Sequence, residues 1–128
     1  MKIIDYSKID KKCIEMIKFF NEIGLITKFS CQGHDNGDNN SFEIIFDNSI
    51  EDNDVLIFLE KYSNKYNHTP FIGKFTKWMR KIDDEIVSNW IYSISYGNYK
   101  VNQVFARMDL EKMKSGFHFE EDKLWKKV

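Results

Sequence analysis

The sequence predicts an α+β fold: a single antiparallel or mixed sheet of about five strands packed against two to four helices. Three observations predict it. Apolar residues recur at helical spacing in two separate segments. Residues 86–96 alternate strictly between two sets, as a strand does. No internal repeat, low-complexity linker or composition break divides the 128 residues, so 1–128 is expected to be one domain with one core.

Ile9, Cys13, Met16, Ile17 and Phe20 share one helix face, Ser7 or Asp10 can cap its start, and Gly24 stands where a C-terminal glycine belongs. Leu25 to Cys31 follows as a strand, rich in apolar and β-branched residues. Gln32 to Asn40 is dominated by Gly, Asn and Asp, cannot bury itself and is a loop. Ser41 to Asp47 returns as a strand, giving a long-looped hairpin. Asp52 or Asn53 then caps a helix running to about Tyr66, its apolar face built from Val55, Leu56, Phe58, Leu59 and Tyr62.

Phe71 to Ile82 reads as a strand with Phe71, Phe75 and Met79 on one parity and Lys74, Thr76, Trp78 and Arg80 on the other. Asp83-Asp84-Glu85 makes a tight turn into the alternating strand. Gly97-Asn98 is a hairpin signal, which makes Tyr99 to about Met108 a further strand; a helix starting at Asn102 is the competing reading. Asp109 can cap a short helix ended by Gly116, and Glu120 to Lys127 is a terminal helix or a frayed tail. The expected order is α-β-β-α-β-β-β-α.

Composition narrows the function classes. Nineteen basic against twenty acidic residues give a net charge of -1, which supplies no global attraction to nucleic acid or an anionic membrane. No stretch approaches the ~20 apolar residues of a membrane span. Two cysteines are too few for a disulfide framework, and the N-terminus carries no signal-peptide run, so a cytoplasmic setting is expected. Aromatic residues reach 16%, enough that some rings are expected at a site. Only Arg80 and Arg107 are arginine, the better clamp for phosphate or carboxylate.

The segment Ser30-Cys31-Gln32-Gly33-His34 sets a thiol and an imidazole at a strand exit and admits three chemistries. Cys31 and His34 have the C-x-x-H spacing of half a zinc site, but Cys13, His68 and His118, the other soft ligands, supply no second pair, and the acidic spacing that follows fails the calcium-loop pattern. Cys31 as a nucleophile with a histidine base is a second reading, against Cys31 as a small buried hydrophobe. The third reading needs neither metal nor nucleophile. Ser30, Gln32 and His34, with backbone donors around Gly33, form a pocket for a phosphate or carboxylate. A second constellation interleaves Trp78 and Arg80 with Asn89, Trp90 and Tyr92. If these share a side they can stack on a purine and pair with its phosphate; otherwise Trp90, Tyr92, Ile94 and Tyr96 are the core face of the sheet. His68 and His118 have no partner at a defined spacing.

A helix, a glycine and then Thr27-Lys28-Phe29-Ser30-Cys31-Gln32-Gly33-His34 resembles small uncharacterised proteins of bacteriophages and their bacterial hosts that carry a Ser-Cys-x-Gly-His loop. The same eight residues are similar to a segment of the wybutosine-synthesising tRNA methyltransferase family, with Gln32 for serine and His34 for arginine, and the methyl-transfer role is not carried over. The phage resemblance implies a viral accessory protein that counters host defence by sequestering a nucleotide signal or by blocking a host protein.

These readings converge on a non-enzymatic binding protein for a nucleotide-like or other anionic small ligand, using Ser30, Gln32, Gly33, His34, Trp78, Arg80, Asn89 and Arg107 and no cofactor. The alternatives are an enzyme built on Cys31 and His34, metal-assisted or thiol-dependent, and an inhibitor that binds a host protein. The partners admitted are thus a small anion, a host protein or a second copy of the chain.

Overall fold

The structure, a computed structural model, describes residues 10–33, 40–66 and 71–116. The Ser7 cap, His34, His68, His118 and the expected terminal helix lie outside these residues. A 3-10 turn at Lys11–Cys13 leads into α1 (Ile14–Glu22), followed by β1 (Thr27–Cys31), β2 (Phe42–Phe46), α2 (Asp52–Tyr66), β3 (Lys74–Ile82), β4 (Glu85–Ile94) and α3 (Tyr99–Gly116). The four strands form one antiparallel sheet in the order β1-β2-β4-β3.

Local chemistry explains the boundaries. At the end of α1, Leu25 N–H donates to the Phe20 carbonyl and Gly24 N–H to that of Asn21 while Gly24 takes φ 96, the paired closure that glycine makes cheapest. Glu51 is the residue preceding α2, and its N–H is taken by the Asp54 carboxylate three residues on, so the capping group lies beyond the expected Asp52 or Asn53. Asp52 instead accepts from Lys77 and from the Trp90 indole N–H, both at 2.8 Å, which hold its carboxyl below the ordinary range and tie α2 to the β3–β4 hairpin.

The expected strand from Tyr99 to Met108 is instead the first part of α3, so among the described residues the sheet has four strands and not about five. Two features decide it. The Asn98 carboxamide oxygen accepts from Val101 N–H, so the dipeptide Gly97-Asn98 is a helix entry and not a hairpin turn. Asn102, Ala106, Asp109, Leu110 and Met113, spaced three and four apart, are all buried on one face. Asp109 is therefore inside α3 rather than at the start of a short helix.

All three helices cover one face of the sheet. Phe42, Ile44 and Phe46 of β2, with Tyr92 and Ile94 of β4, meet Met16, Ile17 and Phe20 of α1, Phe58 of α2 and Ala106, Leu110 and Met113 of α3. Phe20 is the hub, edge-on to Phe46 at 5.0 Å and to Phe58 at 5.9 Å. Among the described residues most of the aromatic rings thus belong to the core.

One polar group is set into this core. Asp109 is fully buried and accepts from Ile72 N–H and Gly73 N–H at 2.8 Å and from the Tyr92 hydroxyl at 2.7 Å. It binds the entry to β3 onto α3, and burial, with the Asp109 carboxyl beside it, pushes the Tyr92 phenol well above the ordinary range. Among the described residues no helix is long and apolar enough to cross a membrane.

Candidate functional site

Gln32, the residue after β1, is bonded to the chain around both α1 and α3. Gln32 Oε1 accepts from Lys12 N–H, while the Asp10 carboxylate accepts from Gln32 N–H, each at 3.0 Å. The helix start and the strand exit therefore cap one another, and Asp10 spends its side chain on Gln32 rather than on its own helix. Gln103 of α3 donates to the Gln32 carbonyl at 3.0 Å. Gly33, at φ +89, is enclosed: a Cβ would lie 2.7 Å from the Asn40 carbonyl oxygen and 3.0 Å from the Tyr99 Cβ.

Ser30 pairs across the ladder with Ile44 and hydrogen-bonds the Cys13 thiol, so it faces the core. Ser30, Gln32 and Gly33 are thus engaged within the chain, while His34 lies outside the described residues.

The two cysteines differ. Cys13 is fully buried, and burial pushes its thiol up to about 12 from the ordinary 9.0. Because the folded value lies above the unfolded one, the stability linked to Cys13 is present below about pH 9 and declines as pH rises toward 12. Cys31 is half-buried and opposite Glu43, on the other side of the sheet. Alkylation of the native protein is expected to reach Cys31 first and Cys13 only as the chain opens, which mass spectrometry of a timed iodoacetamide reaction measures. Among the described residues no three His, Cys, Asp or Glu side chains come together to hold a metal ion.

Trp78, Arg80 and Asn89 do come together, but not with Trp90 and Tyr92. The register sets Trp78 opposite Asn89 and Lys77 opposite Trp90, so the first group lies on the sheet face opposite to the one that α1, α2 and α3 cover. The Arg80 guanidinium lies 4.3 Å from the Trp78 ring centroid and donates to Asn89 Oδ1 at 2.8 Å. Asn89 in turn donates to the Phe46 carbonyl and to Asn48 Oδ1, bridging the sheet where β2 stops. The purine site built from all five side chains is therefore not formed.

Arg107 stands elsewhere, in a groove of about 440 Å³ between the start of α1 and α3. The floor is apolar, with Met16, Phe42, Ala106 and Leu110. The rim carries Lys11, Lys12, Lys100, Arg107 and Lys114 against Glu15 and Glu111. Lys114 pairs with Glu15 at 3.3 Å. Lys11, Lys12 and Arg107 make no ion pair within the chain among the described residues. The Gln32 contacts to Lys12 and Gln103, both lining residues, fix one end of this groove.

The lysines of the rim escaped the sequence reading, although the signal was available. Lys100, Gln103, Arg107, Glu111 and Lys114 recur at three and four residues, a stripe that appears only once residues 99–116 are read as a helix.

Fold and groove together define a small α+β protein with a sheet covered on one face by three helices and a cation-rimmed cleft between two of them. The chain belongs to the YoqC prophage protein family, whose model it matches over residues 1–119. This agrees with the expectation of a phage protein; it shows neither a shared Ser-Cys-x-Gly-His loop nor a likeness to the methyltransferase family. No curated protein and no solved structure matches the chain.

Proposed function

We propose that the protein is a non-enzymatic binder of an anionic small molecule, nucleotide-like in joining phosphate to an apolar body, and that the α1–α3 groove is its site. One observation carries this reading: Lys11, Lys12 and Arg107, without an ion pair among the described residues, stand over an apolar floor, so charge and shape together suit such a ligand. Arg107 supplies the planar fork for a phosphate or carboxylate, and the lysines supply point charges around it. In a prophage protein, affinity without turnover suits sequestration of a host nucleotide signal in the host cytoplasm.

A thermal-shift panel of mono-, di- and cyclic nucleotides with inorganic phosphate tests this. A cognate ligand at a hundredfold excess over its Kd stabilises the fold by about 2.7 kcal/mol. The shift is expected to shrink in Arg107→Ala and with added salt. A flat response across the whole panel would sink the proposal.

A further inference from the structure

Among the described residues no helix covers the sheet face opposite α1, α2 and α3, and much of that face is apolar. Ladder partners put Phe29, Ile45 and Ile91 in one row across β1, β2 and β4, while Trp78 and Val87 continue the patch along the β3–β4 hairpin. Phe29 is 60% exposed and Trp78 47%, at the two outer strands, whereas Ile91 in the middle is only 9% exposed. The patch is a shallow trough with an aromatic on each side.

Its charges argue against a nucleic-acid track. Arg80 is already stacked on Trp78 and bonded to Asn89, and Lys28 is bonded to Asn48 Oδ1 at 3.3 Å. The other charged groups of this parity are Lys74, Glu43 and Glu85, a near balance and not a phosphate-binding stripe. Lys74 and Glu43 make no ion pair within the chain among the described residues.

We propose that this face is the interface of a homodimer in which the sheets of two copies pack face to face. A two-fold axis along the strands, midway between β2 and β4, sets Ile45 over Ile91 of the partner subunit and Phe29 beside Trp78 of the partner subunit. The same operation brings Lys74 toward Glu43 of the partner subunit, and does so twice. Aligned sheets packing about 10 Å apart are a standard arrangement. Four strands about 4.8 Å apart and five to ten residues long, at about 3.3 Å each, give a face on the order of 500 Å² in plan. With the side chains standing on it, that is comparable to the roughly 800 Å² per partner of a stable interface. The proposal is independent of the ligand reading, because the groove lies on the helix side of the sheet.

Sedimentation velocity of the full chain from about 1 to 100 µM, a span that brackets micromolar dissociation constants, is the test. The expected result is a dimer mass that falls to monomer in Trp78→Asp and in Phe29→Asp, each with an unchanged far-UV spectrum. Ile86→Asp, at a residue 73% exposed and on the opposite parity, is expected to leave the dimer intact. A monomer throughout the range overturns the proposal, as does a dimer indifferent to both face variants. A monomer that binds a single-stranded oligonucleotide through Trp78, read by quenching, overturns it in favour of a nucleic-acid surface.

Discussion

Replacing Asp109 by alanine is expected to cost about 3 to 5 kcal/mol of folding stability, the range seen when one partner of a buried charged interaction is removed. Three donors lose their acceptor at once: Ile72 N–H, Gly73 N–H and the Tyr92 hydroxyl. Each donor left unsatisfied in a buried setting costs about 1 to 3 kcal/mol, so the estimate lies at the low end of their sum. A domain of this size has about 5 to 15 kcal/mol in total, which places the variant near the edge of folding. Urea unfolding followed by circular dichroism measures it.

Tyr92→Phe removes one donor and keeps the carboxyl paired with the other two, so its expected cost is nearer 1 kcal/mol. The double variant Asp109→Ala with Tyr92→Phe is expected to lose less than the sum of the two, because the orphaned hydroxyl is gone. A loss below about 1 kcal/mol for Asp109→Ala would falsify its role as the anchor of the β3 entry onto α3.

The same residue shows where the sequence could be read and where it could not. Helix α1, its Gly24 stop, the β1–β2 pair, α2 and the β3–β4 hairpin were legible because each is set by local chemistry: a period, a cap or a turn. Residues 99–108 were not, because Gly-Asn serves both a hairpin and a helix start, and the buried stripe from Asn102 through Asp109 uses polar residues that periodicity does not count as core. Their partners are distant: Asn102 accepts from Tyr96 N–H and donates to the Asn40 carbonyl, while Asp109 reaches back to residues 72 and 73.

The candidate site failed to assemble for a related reason. Parity along one strand is visible in sequence, but the register that puts Trp78 opposite Asn89 and away from Trp90 is set by the Asp83-Asp84 turn. Arg107 was singled out for its chemistry, whereas the lysines around it needed α3 to be known first.

Gly73→Ala tests the packing side of the same anchor, and the sign of the effect is what discriminates. Gly73 has an ordinary backbone conformation, so alanine in open space would stabilise by about 0.4 to 1 kcal/mol through the unfolded chain. Here a Cβ would lie 2.5 Å from Tyr92 Cε1, 2.7 Å from Cζ and 3.0 Å from Ile94 Cγ1. The ring has little freedom to retreat, being fully buried, bonded to Asp109 and packed against Phe20, Phe42 and Phe75. The backbone must therefore move instead, and that lengthens the Gly73 N–H bond to Asp109. The expected outcome is destabilisation of about 3 kcal/mol, at the top of the usual range for an inserted methyl, and a melting temperature lower by roughly 10 °C. In a Tyr92→Leu background the ring is gone and the cost of Gly73→Ala is expected to fall to about 1 kcal/mol, left by the 3.0 Å approach to Ile94 Cγ1. An equal cost in both backgrounds would mean that the strain lies in the backbone and not in the contact between Gly73 and Tyr92.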